Sequence, residues 1–132
     1  MRRASLFLSF SVAALLGACA NSTDRDRYPV FFAAGSTELS PVAQQIIGRA
    51  AQDARNSHAS VVEVVGHAAA HGTNLSADEQ LAINRAKAVA DALATDGVGT
   101  AKITQFARAP ANNQDAAVAA RRVSIEIDPG TP

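Results

Sequence analysis

The chain has no tryptophan, a single cysteine, and aromatic side chains at only 5% of its 132 positions. Hydrophobic residues still make up 48% of it, many of them alanine. The core must therefore be built from small residues, Val and Ile, with a few Phe. About 100 residues of such a chain bury enough surface to fold alone, and the length allows one domain at most. Neither sign of charge is in excess, with 12 Lys plus Arg against 12 Asp plus Glu, so the basic footprint of a nucleic-acid-binding protein is missing. No apolar run reaches the roughly 20 residues that a membrane-spanning helix needs. No nucleophile, base and orienting group form a recognisable set, and there is no glycine-rich phosphate loop. Ser36, Ser40 and Ser76 are accounted for by turns and caps. These absences point away from an enzyme, and they imply no cofactor.

Residues 1–18 read as a targeting segment and not as part of the fold. Arg2 and Arg3 form a positive start, and Ala4 to Gly17 is uncharged and mostly apolar. The run is too short to span a bilayer but matches a secretory signal. Leu16-Gly17-Ala18-Cys19 closes it and resembles a bacterial lipobox, in which small residues let a peptidase approach the backbone just before the cysteine. A lone cysteine in an exported protein would otherwise be an unexplained free thiol. The resemblance implies that Cys19 becomes the mature N-terminus and carries acyl chains, two or more of which anchor stably to a membrane. Ala20, where an Asp often signals retention in the inner membrane, favours the outer membrane. Removing Arg2 and Arg3 from the 12 basic residues leaves 10 against 12 acidic ones, a mature side-chain charge of −2. Residues 19–27 are polar and read as a tether.

The remainder shows alternating elements. Pro29 to Phe32 reads as a strand, with a break at Gly35-Ser36. Ser40 and Pro41 suit the cap and first turn of a helix, and Ala43, Ile46, Ile47, Ala50 and Ala54 recur at helical spacing to about Asn56-Ser57. Val61 to Val65 is a β-branched strand ended by Gly66-His67. After a loop over 68–75, Ser76-Ala77-Asp78-Glu79 forms a capping box. The helix it opens places Ala82, Ala86, Val89 and Leu93 on one face and stops at Asp96-Gly97. Ile103 to Ala107 is a third strand, 109–115 a loop, and 116–120 room for one turn. Arg122 to Asp128 is the last strand, with Val123, Ile125 and Ile127 on one side. The β-α-β-α-β-β order predicts an α+β two-layer sandwich over residues 28–128, a four-stranded mixed sheet with helices on one face. Residues 129–132 are a tail.

Four segments in this order resemble the OmpA-like, peptidoglycan-associated family: Val30-Phe31-Phe32 followed by Gly35 to Leu39; Val62 to His67; Leu81 to Val89, similar to the family's Leu-Ser-x-x-Arg-Ala-x-x-Val helix; and Arg121 to Ile125, similar to its Asn-Arg-Arg-Val-Glu-Ile strand. Together they span nearly the whole mature chain, and their order and spacing make the match specific. The resemblance implies an outer-membrane lipoprotein, facing the periplasm, that holds the cell wall through the diaminopimelate of the peptidoglycan stem. That ligand carries carboxylates and an ammonium. An arginine fork suits a carboxylate, and Arg85 matches the family's ligand arginine, with Arg121 or Arg122 assisting. In a strand only one of the latter two faces the pocket.

Three positions depart from the family pattern. Where the family reads Gly-His-Thr-Asp-x-x-Gly, this chain reads Gly66-His67-Ala68-Ala69-Ala70-His71-Gly72, so Ala69 stands for the acid expected to pair with the ammonium. Ala120 replaces the Asn before the two arginines. A hydrogen bond to a charged group contributes about 1.5–3 kcal/mol, so losing the acid weakens binding by roughly ten- to a hundredfold. His67 and His71 are four apart and could supply donors to the pocket. They lie after a strand beside glycines with no acid between them, which does not suit a metal site. Asp115 is the candidate for a replacement acid. The alternative function is a degenerate domain of the same fold that no longer binds peptidoglycan and serves as a protein-interaction module in the envelope.

Overall fold

The computed structural model describes residues 26–67, 75–108 and 121–128. Its order is β1 (Asp26–Phe31), α1 (Pro41–Asn56), β2 (Val61–His67), α2 (Leu75–Asp96), β3 (Lys102–Arg108) and β4 (Arg122–Asp128). The strands form one sheet ordered β1-β4-β2-β3. β4 runs antiparallel to both its neighbours, while β2 and β3 are parallel. The expected mixed four-stranded sheet and element order are therefore present. The tether before Asp26, His71, Asp115, the turn at 116–120 and the tail lie outside the described residues.

Alternation on β4 divides the sheet's two faces. Val123, Ile125 and Ile127 are buried and point toward the helices, where Val62 and Val64 of β2 and Val30 of β1 join them. α1 adds Ala43, Ile47, Ala50 and Ala54, and α2 adds Ala86, Val89 and Leu93. Alanines where the two helices and the sheet meet allow close approach, which is what a core poor in aromatics requires. The described core residues run from Val30 to Ile127 and form one cluster, and no described helix is long and apolar enough to cross a membrane.

Local chemistry sets the helix ends. The Ser40 hydroxyl accepts from the Ala43 N–H at 3.1 Å, with Pro41 in the first turn, as the sequence predicts. α2 stops at Gly97, which has φ +83° and donates to the Leu93 carbonyl at 2.8 Å. Arg55, near the end of α1, donates to the Asp96 carbonyl at 3.1 Å and to the Gly97 carbonyl, fastening the two helix ends together. The Tyr28 hydroxyl donates to Asp53, tying β1 to α1.

Several boundaries differ from the sequence reading. β1 begins three residues before Pro29, because Asp26 and Arg27 pair with Ile127 and Glu126 and Arg27 forms an ion pair with Glu126 at 3.5 Å. Two residues assigned to the tether thus belong to the sheet, and Phe32 falls just past the strand, held by its N–H to the Arg121 carbonyl at 3.0 Å. β2 runs through Gly66 and His67, since β3 pairs with both. α2 begins at Leu75, so Ser76 lies inside the helix and not at its cap.

Candidate functional site

The site is built where α2 crosses the end of β2. Gly66 permits that crossing: a Cβ there would collide with the Ala82 carbonyl oxygen and come within 3.3 Å of the Ala86 Cβ. The helix is therefore seated directly on the strand, and Arg85, between Ala82 and Ala86, is driven inward until only 3% of it is exposed. Among the described residues it is the buried charged side chain.

Three groups hold it. Its Nε donates to the Ser36 carbonyl at 2.8 Å, and Nη2 donates to the Ala33 carbonyl at 3.1 Å. Its guanidinium carbon lies 5.4 Å from the centroid of the Phe32 ring, a cation–π contact. The two carbonyls belong to a turn in which the Ser36 N–H donates to the Ala33 carbonyl at 3.1 Å and Gly35 takes φ +67°, a conformation that suits glycine. This is the break predicted at Gly35-Ser36.

The side edge of the Arg85 fork is thus committed to the β1–α1 loop. Of the five N–H donors of a guanidinium, those on Nη1 meet no described partner. No described carboxylate pairs with Arg85. Burial, and then the neighbouring positive charge of Arg121, lower its pKa below the usual arginine range. It remains charged at any physiological pH. Arg121 itself is fixed by its carbonyl's bond to Phe32, and its Nε is buried without a hydrogen-bond partner. Two arginines on one side of the sheet, neither paired with a described carboxylate, form a place for an anion. A carboxylate or phosphate there can take parallel hydrogen bonds from the free end of the Arg85 fork.

The sequence-predicted residues separate onto two faces. Arg121 joins Arg85 on the helix side, as the one-of-two expectation for the arginine pair requires. Arg122 and His67 lie on the opposite face of the sheet, where His67 Nε2 hydrogen-bonds with Ser124 Oγ at 3.3 Å. Strand alternation is the reason: Val64 and Gly66 point to α2, so His67 cannot, and Val123 points to the core, so Arg122 cannot. The Ala33 and Ser36 carbonyls and the Phe32 ring were not anticipated. The available signal was an arginine standing inside the alanine stripe of α2, a cation that must be paired or hydrogen-bonded where it is buried.

A family model described as OmpA family matches residues 31–124. The chain is similar in structure to the OmpA-like domain of FopA1 from Francisella tularensis subsp. tularensis SCHU S4, with TM-score 0.63 and 20% identity over 80% of this chain and 75% of that one. It is also similar to the cell wall anchor of the T6SS from Pseudomonas aeruginosa, with TM-score 0.60 and 24% identity over 76% of each chain. A third similar structure is the peptidoglycan-associated lipoprotein from Burkholderia pseudomallei, with TM-score 0.59 and 23% identity over 82% of this chain and 96% of that one. No curated protein sequence matches the chain.

Proposed function

Because the chain belongs to the OmpA family, we propose that it is an outer-membrane lipoprotein whose domain binds peptidoglycan without covalent attachment and so links membrane to cell wall. The observation that carries this reading is Arg85, buried on α2 with its Nη1 donors meeting no described partner, together with Arg121 on the same side of the sheet, whose Nε is buried without a hydrogen-bond partner. A carboxylate of the diaminopimelate stem residue fits that charge, bound end-on by Arg85 with Arg121 beside it. The similarity to a cell wall anchor and to a peptidoglycan-associated lipoprotein supports a cell-wall ligand in general. Its role is binding, which needs no nucleophile and no cofactor.

The anchor in this proposal is Cys19, acylated after removal of residues 1–18. Ala20 favours the outer membrane, with the domain facing the periplasm. Ala69, where the family has an acid, leaves the ligand's ammonium without its usual partner, so the affinity is about ten- to a hundredfold below that of a family site with the acid.

The test is co-sedimentation of residues 20–132 with purified peptidoglycan, with and without free diaminopimelate. Binding that the competitor removes, and that Arg121→Ala weakens about tenfold or more, is expected. Absence of binding at high protein concentration would overturn the wall-linking role. It would favour the second reading, an envelope protein-interaction module, which Ala68, Ala69, Ala70 and Ala120 motivate.

A further inference from the structure

The sheet face turned away from the helices carries a second cationic site, unrelated to Arg85. Residues paired across neighbouring strands point to the same face, so the register gives its rows. Phe31 pairs with Arg122, and His67 with Arg108. In the next row Pro29 pairs with Ser124, Ser124 with Val65, and Val65 with Phe106. Below it Arg27 pairs with Glu126 and Glu126 with Glu63.

Arg27, Arg108, Arg122 and His67 surround a concavity of about 480 Å³ whose floor is Val65, Ser124 and Pro29. Glu126 is the carboxylate in its lining, and it already pairs with Arg27 at 3.5 Å. Arg122 Nε is buried there without a hydrogen-bond partner. Phe31 and Phe106 flank the concavity on the two edge strands, 48% and 47% exposed. Guanidinium groups set between exposed aromatic rings suit an anion carried on an apolar body.

We propose that this face binds the phosphate of anionic membrane lipids, with the two phenylalanines resting in the headgroup region. Chain length supports a lipid as the source of the phosphate. Arg27 lies one residue into β1, and seven Cα steps from Cys19 to Asp26 span at most about 25 Å when fully extended. If Cys19 is acylated as proposed above, the concavity is held within reach of the bilayer surface. The binding itself does not depend on that anchor or on the cell-wall site.

The experiment uses residues 19–132 with Cys19→Ser, so that no acyl chain contributes, and measures co-sedimentation with vesicles of phosphatidylcholine alone and of phosphatidylcholine with 30% phosphatidylglycerol. Partition onto the anionic vesicles only, lost at high salt, is expected. Arg27→Gln with Arg108→Gln removes two exposed charges without touching the core and lowers that partition roughly thirtyfold. Arg85→Ala leaves it unchanged, whatever it does to wall binding, which separates the failure of this site from the failure of the other. Equal partition on both vesicle types, or partition that survives the double substitution, overturns the proposal. So does a site that shifts the His67 resonances on titration with inorganic phosphate while the protein stays off vesicles, because the ligand would then be a soluble anion.

Discussion

Arg85 has two tasks at one position, and its substitutions separate them. Its Nε donates to the Ser36 carbonyl and its Nη2 to the Ala33 carbonyl, so Arg85→Ala leaves two acceptors without their charged donor and lowers stability by about 2–3 kcal/mol, measurable by urea denaturation. Arg85→Lys keeps the charge but not the fork, and peptidoglycan binding should fall at least about tenfold even where the fold survives. Gly66 is constrained by a backbone neighbour that cannot yield, the Ala82 carbonyl. Gly66→Ala should therefore cost on the order of 3 kcal/mol, and it should also reduce wall binding, since it lifts the helix that carries Arg85. An unchanged melting temperature would show that α2 can shift without loss. Ala69→Asp should raise peptidoglycan affinity at least about tenfold if the ammonium end of the ligand lies at that loop, and a flat response in co-sedimentation would remove the loop from the site.

At the level of elements, α1 is governed by its ends as much as by its face. Ser40→Ala removes the acceptor for the Ala43 N–H and should destabilise the domain by about 1 kcal/mol in chemical denaturation. β4 decides more, because it is central, antiparallel to both neighbours, and alternates without interruption. Its alternation sends Arg121 and Arg122 to opposite sides of the sheet. That makes adjacent residues in sequence members of two separate cationic sites. The strand's start is therefore a point where a one-residue shift in register would exchange the two arginines and move the apolar side chains out of the core.

For the whole molecule, the two sites lie at the same end of the sheet on opposite faces, one under α2 and one in the open. The open face lies close, along the chain, to the proposed lipid anchor. The pattern of apolar residues, the Ser40-Pro41 start, the Gly97 stop and the alternation of β4 were legible in the sequence, because each depends on neighbours within a turn or a strand. Membership of the OmpA family was likewise legible in the order and spacing of the four segments, since such motifs are written in linear order. Four things were settled only in the tertiary structure. Asp26 and Arg27 became strand because β4 offered partners, Gly66 and His67 stayed in β2 because β3 flanks it, and His67 parted from Arg85 because the sheet's two faces separate neighbours along a strand. Burial of Arg85 belongs with these, for a guanidinium on an alanine stripe becomes a buried cation only when the strand beneath has a glycine, Gly66, that lets the helix come down upon it.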